Sequence, residues 1–205
     1  MPATAGAVTG PDDRPRCPWA LGSASLMAYH DAEWGQVLRG DEGLFERLCL
    51  EGFQSGLSWR IILDRRDALR DAFAGFTPAA VARFSAADID RLMADPRIIR
   101  NRAKITSVVS NAHALLALQR ARGADSLDAM VWAVHRPGRS RPQRVSKIPS
   151  QSAESAGLAA ELRLLGFRFV GPTTVYSLMQ AIGVVDDHLA GCLVPPVTPD
   201  FPGHA

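Results

Sequence analysis

The sequence predicts an all-α protein, and three observations carry that reading. Apolar residues recur at helical spacing along most of the 205-residue chain, and helix start signals punctuate it at Asp41, Thr77-Pro78, Ser85 and Pro172. No stretch of four or more residues alternates apolar with polar, apart from a possible strand edge at 144–148. No repeat of 20 to 50 residues appears. At 47% hydrophobic, the chain can bury a full core as one domain or as two small lobes. No apolar run approaches a membrane span, and the first 16 residues hold no basic segment followed by a long apolar one. This predicts a cytoplasmic, membrane-free protein with a loose tail over residues 1–16, a helical domain over 17–192 and a Pro-rich tail over 193–205.

Cys17-Pro18-Trp19 opens the folded part, and Tyr29 and Trp34 flank His30 soon after. The central helix follows, with Asp41 as its expected cap and Glu42 in its first turn. Leu44, Leu48, Glu51 and Ser55 share one of its faces, Phe45, Cys49 and Gly52 a second, and Leu50, Phe53 and Leu57 a third. A helix apolar nearly all round is buried. Glu51 therefore lacks water and needs a positive partner or several donors. A core Glu satisfied by an Arg or a backbone amide is one reading. Trp59, just past the Ser55-Gly56-Leu57 break, together with Tyr29 and Trp34, favours another, in which a carboxylate ringed by aromatic faces receives a flat cation.

A second helix is expected over Arg60–Phe73, then short helices after Thr77-Pro78 and after the Ser85/Asp88 capping box. Arg100, Arg102 and Lys104 sit exposed at the start of a long amphipathic helix running past Leu118, and 127–134 forms another with Trp132 in the core. Residues 135–150 are one long loop. Helix 158–165, the Gly166–Gly171 hairpin and helix 172–182 come next, with Gly166 left-handed and Pro172 first in its helix. The N-terminus of such a helix suits a phosphate, although any αα-hairpin has the same outline.

Charge is unevenly spread. Residues 97–168 hold 13 Lys and Arg against 4 Asp and Glu, a net +9, so the rest of this +2 chain carries −7. Arg136 to Lys147 alone holds five cations and no acid, which fits a polyanion partner or a solvated basic loop. The three cysteines do not form a disulfide framework and point to metal binding or burial. His188 and Cys192 lie at i, i+4, stacked if that segment is helical. With Cys17 and His30 they make a closed Cys₂His₂ set for a structural zinc that ties the two ends of the domain together, whereas the pair alone reads as chance spacing. Cys49 belongs to the core.

Cys17-Pro18-Trp19, residues 29–35 (YHDAEWG), residues 50–59 (LEGFQSGLSW), residues 98–102 (IIRNR), residues 166–171 and Asp187-His188 to Cys192 together resemble the constitutive, type I 3-methyladenine DNA glycosylases. These are the zinc-containing branch of the helix-hairpin-helix glycosylase superfamily. The resemblance spans residues 17–192 and implies a two-lobed helical fold with a DNA groove. By position it makes Cys17, His30, His188 and Cys192 the zinc ligands and Glu51 the carboxylate that hydrogen-bonds the damaged base. It makes Tyr29 and Trp59 the stacking partners, Trp19 and Trp34 pocket walls, and the Ser55-Gly56-Leu57 turn the element pressed into the gap in the duplex. The Gly166–Gly171 hairpin, with Phe169, would hold phosphate, and Arg100 and Arg102 would contact DNA. The implied activity is that of a monomeric, monofunctional hydrolase of base-excision repair, acting on double-stranded DNA with alkylated purine and releasing 3-methyladenine without a lysine intermediate. Leu26, Phe53 and Asp186 depart from the family pattern. Asp186 either stabilises the sugar cation or caps the segment bearing His188. A non-catalytic, zinc-stapled nucleic-acid-binding module and a glycosylase for another alkylated base are the alternatives.

Overall fold

Ten α-helices, three short 3₁₀ segments and one two-stranded ladder make up the regular structure of residues 5–196, the part of the chain that the computed structural model describes. Residues 1–4 and 197–205, and with them most of the expected C-terminal tail, lie outside the described residues. The chain forms two units. Unit 1 takes residues up to 38, 135–150 and 179 onward; unit 2 takes 39–134 and 151–178.

In unit 1 residues 5–16 are not a loose tail. Strand β1 (Val8–Thr9) pairs antiparallel with β2 (Pro15–Arg16), and the Arg16 guanidinium, 2% exposed, is held by the Asp12 and Asp31 carboxylates. A two-residue ladder leaves no alternation to detect, and what fastens it is the buried Arg16 between two part-exposed carboxylates, Asp12 and Asp31, 19 positions apart. Helix α1 (Ala24–Ala32) starts at Ser23, whose hydroxyl accepts from Leu26 N at 3.1 Å, and carries Tyr29 and His30 on its buried side. The 135–150 loop does not present all its charge to solvent. Arg139 pairs with Asp187 at 2.9 Å and Arg141 with Asp186 at 2.7 Å, so two of its five cations are neutralised inside the unit. The possible strand edge at 144–148 is a 3₁₀ turn, Val145–Lys147.

Unit 2 is built round α2 (Asp41–Gln54) and α7 (Arg102–Arg122), which pack on each other and bury Leu44, Leu48, Val108 and Leu115 among their side chains. Gly40, not Asp41, caps α2. The Asp41 carboxylate is buried and accepts instead from Asp128 N at 2.9 Å and Gln119 Nε2 at 2.8 Å, tying α2 to its neighbours. The single helix expected over 60–73 is two: α3 (Trp59–Leu63) and α4 (Arg66–Ala72) part at Asp64-Arg65, where Arg65 Nη1 reaches the carbonyls of Pro96 and Arg97. Short helices α5 (Pro78–Val81) and α6 (Ala86–Ala94) follow, the second with the reciprocal Ser85/Asp88 cap that the sequence predicts. Asn101 caps α7, accepting from Lys104 N. Then come α8 (Ser126–Trp132), α9 (Ala153–Leu164) and α10 (Pro172–Ala181), whose last three residues belong to unit 1. Gly166 ends α9 at φ 95°, open to glycine at little cost. Phe53 is fully buried against Phe73, ring centroids 5.7 Å apart, so its departure from the family pattern is one of core packing.

Candidate active site and metal centre

In unit 2, Glu51 sits in the last turn of α2, 5% exposed. Among the described residues it makes no hydrogen bond and no ion pair; Arg47, one turn back, acts on it only through space. Burial without a partner pushes its carboxyl up to about 8, with Arg47 opposing. The core-satisfied Glu that the sequence left open is thus not what the fold builds.

Immediately after Glu51, Gly52 faces the 166–171 hairpin: a Cβ there would lie 3.4 Å from the Phe169 Cβ, so the hairpin packs close against this turn of α2. Phe169 is 37% exposed and holds φ 56°, a left-handed conformation costly for a phenylalanine. The hairpin is pinned by Asn111 of α7, whose Oδ1 accepts from Arg168 N at 2.7 Å and whose Nδ2 donates to Arg168 O at 3.2 Å. Past the end of α2, Leu57 N donates to Gln54 O and Gln54 Nε2 to Leu57 O, closing the turn on Gly56 at φ 80°. Lys104 Nζ, buried in α7, donates to Phe53 O at 2.8 Å and Ser55 O at 2.5 Å. Burial pushes this ammonium down from the ordinary lysine range. Trp59 is half-buried at the start of α3; Arg100 is exposed, and Arg102 pairs with Asp90 at 2.7 Å.

Lys104 is not exposed at the start of α7, as its place beside Arg100 and Arg102 suggests, but buried at 7%, because its ammonium turns in to the carbonyls of residues 53 and 55; Asn111 carries no expectation from the sequence. Their signal was present, since 104, 108, 111 and 115 recur as i, i+4, i+7 and i+11, putting two polar groups on α7's buried face.

In unit 1, Cys17, His30 and Cys192 bring their ligand atoms within 4.8 Å of one another. His30 Nδ1 donates to Asp31 Oδ1 at 2.8 Å, leaving Nε2 turned to Cys192 Sγ at 3.4 Å. His188 uses its Nδ1 on Asp186 Oδ1 at 3.0 Å, and its Nε2 is buried without a hydrogen-bond partner. Its ring lies 5.1 Å from that of His30, outside the tight group of three. One thiol donates to the other, which holds Cys192 low, about 4, and drives Cys17 up. His188 and Cys192 are not stacked on a helix. Asp186 Oδ1 takes the His188 amide and Ala190 N goes to Pro142 O, so the segment turns instead. Asp186 has one oxygen on His188 and the other on Arg141, the geometry of a turn cap. Trp34 packs edge-on to His188 at 4.5 Å and Trp19 to Trp34 at 5.1 Å, with Tyr29 a further 6.3 Å from Trp19. Gly35, at φ 81°, leaves room for this packing, since a Cβ would lie 2.6 Å from His188 Cε1. Gly35→Ala is expected to lower stability by about 2–4 kcal/mol, through backbone strain plus a displaced imidazole. Urea midpoints of the two proteins measure it, and equal midpoints would show that the ring has room to move.

The chain belongs to the methyladenine glycosylase family, whose profile matches residues 19–195. It is 41% identical to DNA-3-methyladenine glycosylase 1 of Escherichia coli strain K12 over 179 residues, 86% of this chain and 95% of that one. A crystal structure of 3-methyladenine DNA glycosylase I superposes with a TM-score of 0.84 at 40% identity, covering 88% of this chain and all of the other. The Staphylococcus aureus 3-methyladenine DNA glycosylase I, whose structure addresses 3-methyladenine recognition, gives 0.83 at 34%, covering 90% and 98%. Among the described residues no helix is long and apolar enough to cross a membrane.

Proposed function

We propose that this glycosylase flips an N3-methylated adenine nucleotide out of duplex DNA and hydrolyses its N-glycosidic bond, leaving an abasic site in base-excision repair. The observation that carries this is Glu51, a buried carboxylate without a hydrogen-bond or ion-pair partner among the described residues, on a helix that buries nine of its fourteen residues. Methylation at N3 makes the base a cation, so it leaves with the bonding electrons as a neutral purine and needs no general acid. Water adds to C1′ of the sugar as the C1′–N9 bond breaks, and its proton passes to solvent. The enzyme supplies extrusion of the nucleotide and a hydrogen-bond acceptor that favours the charged base. Glu51 accepts N–H hydrogens of that base, and an ordinary adenine, being neutral, leaves the ionised carboxylate uncompensated. By their positions in the family pattern, Tyr29 and Trp59 are the proposed stacking faces and Trp19 and Trp34 the proposed pocket walls. Gly56 and Leu57 enter the gap in the duplex, and Gly166, Phe169 and Gly171 form the phosphate-holding hairpin of a helix-hairpin-helix element, with Arg100 and Arg102 on the backbone. Lys104 is the buried lysine nearest the Glu51 helix end, and its ammonium is committed to two carbonyls, which supports hydrolysis over a covalent lysine adduct.

The residues in unit 1 fit a structural zinc. Cys17 and Cys192 would bind as thiolates and His30 and His188 through Nε2, each ring oriented by a carboxylate on Nδ1, and the orphaned His188 Nε2 is the atom such an ion would satisfy. Four protein ligands leave no open position, so the ion would supply structure and no chemistry at the glycosidic bond. Asp186 is then a turn cap and ring-orienting group.

Chromatography of bases freed from methylated duplex DNA tests the proposal. A 3-methyladenine peak that grows with enzyme is expected. A protein that retains DNA but frees no base is a binding module, and other methylated bases in the eluate would widen the substrate class.

A further inference from the structure

We infer that Lys104 and Asn111 are positioning residues that lock the Ser55–Leu57 turn and the 166–171 hairpin to one face of α7, so that both meet DNA in fixed register. This rests on the glycosylase reading for the roles of the two elements; the contacts themselves do not. Seven residues apart on one helix face, the two side chains are separated by about 10 Å along the axis. Neither is a plausible filler of an apolar core. Lys104 is 7% exposed and Asn111 3%, and each spends its polar atoms on backbone groups of a segment far away in sequence.

The Lys104 ammonium meets the last carbonyls of α2, where the helix leaves orphan acceptors and its dipole is negative. Ser55 O lies inside the turn itself, so the cation holds both the helix end and the first residue of the turn. Asn111 does for the hairpin what a paired strand would do, giving one acceptor and one donor to the amide and carbonyl of Arg168, next to the strained Phe169. Between them Ser107 Oγ donates to Lys104 O, so the polar contacts run along the same stretch of helix. On the neighbouring, open side of α7 a groove of about 440 Å³ is lined by Ala103, Thr106, Ser107, Ser110, Arg168 and Phe169. Its walls are hydroxyls, an arginine and an exposed ring, suited to a sugar-phosphate backbone passing from the turn to the hairpin. A site on rigid elements keeps its geometry only if the supporting side chains are themselves fixed, and here one helix fixes both.

The test compares wild type with Lys104→Met, which keeps the stem and removes the ammonium, with Lys104→Arg, and with Asn111→Ser. Three readouts are taken on each folded protein: affinity for an abasic-site duplex, single-turnover base release from methylated DNA, and binding of free 3-methyladenine followed by tryptophan fluorescence. Lys104→Met and Asn111→Ser are expected to lose about 10- to 100-fold in duplex affinity and release, as misplacement of about 1 Å does, with free-base binding within about twofold of wild type. Lys104→Arg, which can still donate to both carbonyls, is expected to recover most of the loss. Duplex affinity within about twofold of wild type in Lys104→Met would overturn the inference, and so would parallel losses of duplex and free-base binding, which mark general damage. Should Lys104→Met not fold, Asn111→Ser, which changes no charge, decides by the same criteria. A wild type that holds duplex but frees no base sinks the glycosylase reading alone, because the duplex-affinity comparison still decides the positioning roles.

Discussion

Stripping metal from the purified protein is expected to lower its melting temperature by more than about 10 °C, and elemental analysis beforehand to find one zinc per chain. The magnitude follows from what the cluster becomes without an ion. Two thiols and an imidazole are crowded within 4.8 Å, and His188 keeps a buried nitrogen with nothing to bond. That orphan alone costs about 1–3 kcal/mol, and losing the ligand bonds adds several more, against about 2–4 °C per kcal/mol for a chain of this size. Two of the three segments that supply ligands have little regular structure of their own. Residues 188–192 form no helix, and Cys17 follows a two-residue ladder. Cys192→Ser should reproduce the chelated state without chelator. Because protons compete for the thiolates and imidazoles, metal retention should fall as pH falls. An unchanged melting curve after exhaustive chelation, or a protein isolated without zinc, would reduce the cluster to buried cysteines and histidines.

The elements that could be read from sequence are those stabilised locally. The Ser85/Asp88 box, Pro172 as a first helical residue and Gly166 as a terminator each act within four residues, and each appears where the spacing puts it. Glu51 was legible for a related reason. Three apolar stripes round one helix place a carboxylate inside, and the fold adds that among the described residues none hydrogen-bonds it there. What could not be read is held by partners distant in the chain. Arg16 needs Asp31, Asp41 needs Gln119 and Asp128, and the helix break at Asp64-Arg65 accompanies an arginine reaching the carbonyls at 96 and 97. Charge counting misled for the same reason: Arg139, Arg141 and Arg102 look free in sequence and are paired in space. His188 and Cys192 show the opposite error. Their i, i+4 spacing suggests a helix, but the Asp186 side chain captures the His188 amide and the chain turns.

Glu51→Gln is expected to cut the efficiency of 3-methyladenine release by about 100-fold or more at pH 8 while making the folded protein more stable, two effects of opposite sign from one substitution. The activity loss is that of removing one partner from a desolvated charge pair, about 2–5 kcal/mol or more. The stability gain follows from the carboxyl standing at about 8 in the folded chain against an ordinary 4.5. Between those values the folded state keeps a proton that the unfolded chain has given up, so Glu51's contribution is intact below pH 4.5 and is lost progressively as pH rises through 8. Glutamine has no proton to lose. The variant's advantage should therefore be small near pH 5 and reach about 3–5 kcal/mol above pH 8, read as a diverging pair of urea midpoints. The same ionisation governs catalysis. Release efficiency in the wild type should climb about tenfold per pH unit below 8 and level off above it, since only the carboxylate compensates a cationic base, and the glutamine variant should lose that limb. A variant that keeps wild-type efficiency, or that is less stable at high pH, would mean the side chain is held by a partner and serves the core. A carboxylate left dry and unpaired is a cost to the fold at every pH above neutrality, and recognition of a positively charged base is the chemistry that makes such a cost useful.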